Sequence, residues 1–164
     1  MKEAAPWVIV GLVAVAALFL MAPPSESLPI LAPDFSVEAL SGETVTLSAL
    51  RGKLIILDFW ASWCKPCTRT LPGLDELAVR LADRDVVLLA ISLDRTEKAA
   101  REYAVAYDLP ASSVLYGSLD QTRAVKDLYG VVGIPRTFVI DREGFVRYSG
   151  GPSGVTEELV APWL

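Results

Sequence analysis

The only two cysteines of this 164-residue chain stand two residues apart, in Trp63-Cys64-Lys65-Pro66-Cys67. Just upstream runs Leu54-Ile55-Ile56-Leu57-Asp58-Phe59-Trp60, an apolar stretch of strand length interrupted by a single carboxylate. Downstream, Cys67 to about Leu81 reads as a helix. A CxxC at a strand-to-helix junction sets its first sulfur over unpaired helix N–H groups, where the positive end of the helix dipole favours a thiolate. Few arrangements suit two thiols better for reversible oxidation.

Within this pair Cys64, at the helix start, is the expected nucleophile, exposed so that a partner disulfide can approach. Cys67, one turn in and better shielded, is the expected resolving thiol. A purely structural clip is poorly motivated, because closing so short a loop removes little chain entropy. Lys65 is expected to be exposed, either lowering the thiolate pKa or simply solvated. Pro66 suits a helix start, where its missing N–H costs nothing. Asp58, six residues before Cys64, lies inside an apolar strand. Buried there, its carboxyl has a raised pKa suited to proton exchange with Cys67; at a strand end it would face water. Ile134-Pro135 precedes another strand, a position where a proline is tolerated and where a tight turn can hold a cis bond.

Composition narrows the chemistry further. The chain has no histidine, which excludes Cys–His nucleophile pairs, CxxCH haem attachment and His-ligated metals. Two cysteines alone hold neither a four-cysteine zinc site nor an iron–sulfur cluster. No metal and no cofactor beyond a Cys64–Cys67 redox disulfide is expected. With net charge −5 the chain is a poor candidate for nucleic acid.

Ala4 to Ala22 carries no charge. Nineteen residues at 1.5 Å each nearly match a hydrocarbon core about 30 Å thick. A retained membrane anchor and a cleaved signal peptide both fit. The run exceeds the usual secretory apolar region, and its Ala14-Val15-Ala16 lies inside it, which favours the anchor. Lys2 gives a weak positive-inside signal that points the rest of the chain to the extracytoplasmic, periplasmic side. Residues 1–22 are thus read as anchor, 23–31 as a Pro/Ser spacer and 32–164 as one domain.

In that domain the pattern is α/β. Phe35–Leu40 and Thr44–Leu47 flank the turn Ser41-Gly42-Glu43, an N-terminal hairpin extension. Val86–Ser92 is a second buried strand; Thr96 caps a helix to about Tyr107 and Asp120 one to about Tyr129, stopped by Gly130. Pro72 is expected to kink the helix after Cys67. Thr137–Ile140 and Phe145–Ser149 form a closing hairpin, and Val155–Leu164 a last helix. A central mixed sheet flanked by helices is predicted.

These residues together resemble the thioredoxin superfamily, and more narrowly the membrane-anchored TlpA/ResA/CcmG (DsbE) group of exported thiol–disulfide oxidoreductases. The likeness covers roughly residues 30–164. It rests on Ala32-Pro33-Asp34-Phe35, Leu50-Arg51-Gly52-Lys53, Asp58-Phe59-Trp60-Ala61-Ser62-Trp63-Cys64-Lys65-Pro66-Cys67, Tyr129-Gly130-Val131-Val132-Gly133-Ile134-Pro135, Thr137–Asp141 and Gly144. The resemblance implies a thioredoxin-like fold and a catalytic dithiol in a motif shared with Trp63, Lys65 and Pro66. It implies a cis Pro135 against the disulfide, with Ile134 docking the substrate backbone, and a buried acid at Asp58. It further implies protein disulfides as substrates, apocytochrome c CxxCH cysteines among them, and a membrane thiol transporter as electron donor. Two departures stand out: Thr70 replaces the glutamate that ResA-type members carry three residues after the second cysteine, and Arg136 replaces the acid frequent after the cis-proline of CcmG-type members.

Other classes remain on the page. A general envelope disulfide reductase would carry the same residues. A thiol peroxidase on this fold shares the Ala-Pro-Asp-Phe start but needs a threonine where Ala61 stands. A non-enzymatic scaffold has no reason to keep both cysteines, and a copper chaperone would want histidine.

Overall fold

The computed structural model describes residues 29–110 and 113–164. In chain order the elements are β1 (Ile30–Leu31), β2 (Ser36–Glu38), β3 (Thr44–Thr46), β4 (Leu54–Trp60), α1 (Lys65–Arg80), β5 (Val86–Ser92), α2 (Glu97–Ala106), β6 (Val114–Leu115), α3 (Leu119–Leu128), β7 (Arg136–Ile140), β8 (Phe145–Gly150) and α4 (Glu157–Val160). The anchor and most of the spacer lie outside the described residues. Among the described residues no helix is long and apolar enough to cross a membrane.

All seven residues of β4 are buried, as a run apolar on both faces requires. β4 sits inside a six-stranded mixed sheet of order β1-β8-β7-β4-β5-β6, with β2 and β3 paired as a separate hairpin. β5 runs parallel to β4 and β7 antiparallel, which places Ala90 and Thr137 on either side of Asp58. Successive strand side chains point to opposite faces. Leu54, Ile56 and Trp60 therefore pack with Leu71 and Leu74 of α1, Tyr103 of α2 and both cysteines. Ile55, Leu57 and Phe59 pack with Val125 of α3 and with Phe35 and Val37 from the hairpin. The mixed sheet, its flanking helices and the hairpin extension agree with the sequence reading.

Several details differ. Helix α1 begins at Lys65 rather than Cys67, because Cys64 itself is its cap: the Cys67 N–H points at Cys64 Sγ, 3.3 Å away. Helix α3 is capped not by Asp120 but by Ser118, whose hydroxyl accepts the Gln121 N–H; Asp120 lies in the first turn, where its charge suits the dipole. The last helix is broken. Thr156 caps the single turn of α4, and a 3₁₀ turn over Ala161–Trp163 follows, because Pro162 has no N–H with which to extend an α-helix. β1 and β6 are too short for periodicity to reveal; β1 pairs with β8, and β6 with β5.

Helix α1 runs through Pro72. A proline there leaves the carbonyl four residues earlier, on Thr68, without its helical donor. The Tyr103 hydroxyl of α2 takes up that carbonyl at 2.8 Å. Tyr103 is itself pinned between Trp60 and Tyr107, at 4.8 and 4.3 Å between ring centroids. Tyr103→Phe should keep the packing but strand the Thr68 carbonyl, lowering stability in urea unfolding by about 1–2 kcal/mol. An unchanged midpoint would show that water satisfies the carbonyl as well.

Candidate active site

The chain leaves β4 at Trp60 and enters α1 at Lys65, so four residues must turn from a buried strand into a helix. A buried carboxylate organises that turn. Asp94, just past the end of β5, accepts the Ser62 N–H at 3.0 Å, the Ser62 hydroxyl at 2.7 Å and the Ser92 hydroxyl at 2.8 Å. Neither Asp94 nor Ser62 was singled out by sequence reasoning. Their role depends on the register, in which parallel strands pairing Trp60 with Ser92 end side by side and Leu93 N–H reaches Trp60 O at 2.8 Å.

At the end of this turn Cys64 and Cys67 are joined in a disulfide. Cys67 is fully buried, as expected of the shielded partner. Cys64 is only 6% exposed, less than an attacking thiol was expected to be, since it packs in the core and its sulfur is bonded to that of the fully buried Cys67. The Cys67 N–H that meets Cys64 Sγ belongs to the first turn of α1, so a reduced Cys64 keeps a backbone donor and the helix dipole to stabilise a thiolate. Lys65 and Pro66 are both exposed on this first turn.

Asp58 shares its sheet face with Ile56 and Trp60, the face that α1 and the cysteines cover. It is fully buried, which rules out the water-facing alternative. Burial pushes its carboxyl up to about 7; the Thr137 hydroxyl, donating to Oδ1 at 2.6 Å, pulls only weakly the other way. Oδ2 has no hydrogen-bond partner among the described residues, and it is the oxygen free to hold a proton.

The Ile134–Pro135 bond is cis. Ile134 packs against both core clusters, one of which contains the two cysteines. Trp63 and Ile134, each next to a motif residue, wall an open cleft of about 510 Å³ that Arg123, Lys126, Asp127 and Val132 also line. An adjoining cleft of about 450 Å³ shares Trp63 and Arg123 and adds Arg95. Thr70, standing where an acid was expected from the resemblance, turns its hydroxyl back to the Pro66 and Cys67 carbonyls. Arg136 donates to Ser149 Oγ at 2.8 Å and lies over the Phe138 ring.

A mixed sheet with α1 and α2 on one face, a CxxC disulfide at the start of α1 and a cis-proline loop beside it define a thioredoxin-fold dithiol protein. Solved structures agree: a Chlorobium tepidum protein described as a thiol:disulfide interchange protein DsbE matches with TM-score 0.66 and 33% identity, over 75% of this chain and 84% of that one. The family profile of the AhpC/TSA family matches residues 31–149, and the chain belongs to that family. Among curated relatives, the thioredoxin-like protein YneN of Bacillus subtilis is 35% identical over 71% of this chain and 66% of its own length. The thiol-disulfide oxidoreductase ResA of Oceanobacillus iheyensis is 36% identical over 79% of this chain and 62% of its own. The chain thus spans just under two thirds of the length of these relatives.

A carboxyl whose folded pKa is raised binds a proton that the unfolded chain has already released, so stability falls as pH climbs through the range between the two values. With the disulfide kept oxidised, the wild-type protein should lose about 4 kcal/mol of stability between pH 4 and pH 8 through Asp58. Asp58→Asn keeps the acceptor for Thr137 and should abolish most of that slope. Urea unfolding at the two pH values measures it, and equal slopes in both proteins would mean Asp58 titrates normally.

Proposed function

We propose that this protein is a thiol–disulfide oxidoreductase that reduces disulfides in other proteins. The observation that carries the reading is the Cys64–Cys67 disulfide at the start of α1, with a buried, protonatable Asp58 on the same side of the sheet. Relatives named thiol-disulfide oxidoreductase support it.

In the reduced protein the Cys64 thiolate attacks one sulfur of a substrate disulfide. A mixed disulfide forms and the other substrate sulfur leaves as a thiolate. Cys67 then passes its proton towards Asp58, and its thiolate attacks Cys64 Sγ. The second substrate thiolate departs, and the Cys64–Cys67 disulfide retains the oxidation. Two electrons have moved to the substrate, so an external dithiol must reduce the pair again; a membrane thiol transporter is the donor we assign. Ile134 and Pro135 form the ledge against which the substrate chain lies.

The uncharged run Ala4–Ala22 supports an anchored domain on the extracytoplasmic side. The resemblance of the sequence to the TlpA/ResA/CcmG group is what suggests apocytochrome c as a substrate; relatives named ResA and DsbE support only the thiol–disulfide exchange itself.

Cys64→Ser should abolish reduction of insulin disulfides, while Cys67→Ser should accumulate mixed disulfides that identify the partners in cells. Full activity in Cys64→Ser would sink the mechanism. Rapid Cys64-dependent consumption of hydrogen peroxide without insulin reduction would replace it with a thiol peroxidase.

A further inference from the structure

The clefts beside the dithiol carry a charge opposite to that of the molecule. The chain as a whole is acidic, at net −5. Yet the walls around Trp63 bring together Arg95, from the loop after β5, with Arg123 and Lys126 of α3. One carboxylate joins them, that of Asp127, and it lies 3.4 Å from Lys126 Nζ. Asp127 therefore offsets Lys126 and leaves the two arginines. Both are exposed, and neither has an ion-pair or hydrogen-bond partner among the described residues. By contrast, Arg101 pairs with Glu97 and Arg147 with Asp141.

The same walls expose apolar surface that a folded protein ordinarily covers. Trp63 is 64% exposed and Val132 fully so. Both sit within reach of the residues on which the reaction depends, one next to Cys64 and the other two residues before Ile134. Two arginines from separate elements, bracketing an exposed tryptophan at the mouth of the dithiol, make a surface complementary to an extended peptide with an acidic side chain beside an apolar one. Opposite charge in such a place raises association rates and rejects like-charged partners.

We propose that this cleft selects substrates whose reactive cysteine is flanked by an acidic residue, seated against Arg95 and Arg123 while a neighbouring apolar side chain packs on Trp63. The inference rests on the thiol–disulfide exchange proposed above and names the class of partner that exchange prefers.

Two peptides, each closed by one disulfide and differing only in glutamate or lysine next to the cysteines, test it with pre-reduced full-length protein in stopped-flow kinetics. The glutamate peptide should be reduced about tenfold faster at low ionic strength. The ratio should shrink towards unity at 1 M salt, where charges are screened beyond about 3 Å. The double variant Arg95→Glu with Arg123→Glu should reverse the preference. Arg80→Glu with Arg84→Glu, which makes the same charge change at and just beyond the far end of α1, should leave it intact. Equal rates for the two peptides, or a preference that survives the double variant, would overturn the inference while leaving the exchange reaction standing. Absence of exchange with both peptides would remove the reaction itself and the inference with it. A dimer in sedimentation that Arg123→Glu dissociates would assign the cleft to a second copy of the chain and likewise overturn it.

Discussion

Strand β4 is hydrogen-bonded along both edges and covered on both faces, so its last residue, Trp60, is among the most firmly fixed points of the molecule. The dithiol lies four residues further on. What carries that fixed position forward is the Asp94 carboxylate, which receives three hydrogen bonds from Ser62 and Ser92. A buried carboxylate is costly unless its oxygens are satisfied, and here the satisfying groups belong to the two neighbouring strand ends. The turn is thereby tied to both β4 and β5, and α1 starts in one defined place. Helix dipole and capping sulfur take their position from that tie, while the cis-proline loop is placed by the pairing of β7 with β4.

The alternation of β4 sorts the rest. Its odd-numbered residues complete an apolar layer with the hairpin and α3, a layer with no titratable group from the strand. Its even-numbered residues face α1, and among them stands Asp58. A carboxyl with a pKa near 7 destabilises the folded protein wherever it ionises, so its presence in the core works against stability. It stands on the sheet face that α1 and the cysteines cover, and the proton exchange with Cys67 proposed above is a reason to keep it. Strain between stability and chemistry is common at active sites, and here it is confined to one oxygen, Oδ2, and one layer of the sheet.

How much of this was legible in the sequence follows from what each signal depends on. β4, β5, β7 and β8 show as long apolar or alternating runs, and the CxxC marks α1, because these features are local. Ser118 and Asp120 are both good caps two residues apart, and local preference alone does not choose between them; the geometry of the loop after β6 does. β1 and β6, two residues each, exist only through their partners. The placement of Ile134 and Pro135 was legible only through resemblance. Asp94 was missed because its role depends on two strands ending together, a fact of pairing rather than of pattern. The charge of the cleft is likewise invisible in the composition, since Arg95 and Arg123 are 28 residues apart and count against an acidic total.

The bond from Tyr103 to the Thr68 carbonyl has a consequence for how this sequence can drift. Pro72 creates the need for an outside donor, and Tyr103 meets it from another helix. Were position 72 to become alanine, its N–H would claim the carbonyl and the tyrosine hydroxyl would have nothing left to do. Were position 103 to lose its hydroxyl first, the proline would become a liability. Replacement is easier in one order than in the other, so the two positions form a ratchet in descent: proline can be given up while tyrosine stands, and tyrosine only after proline has gone.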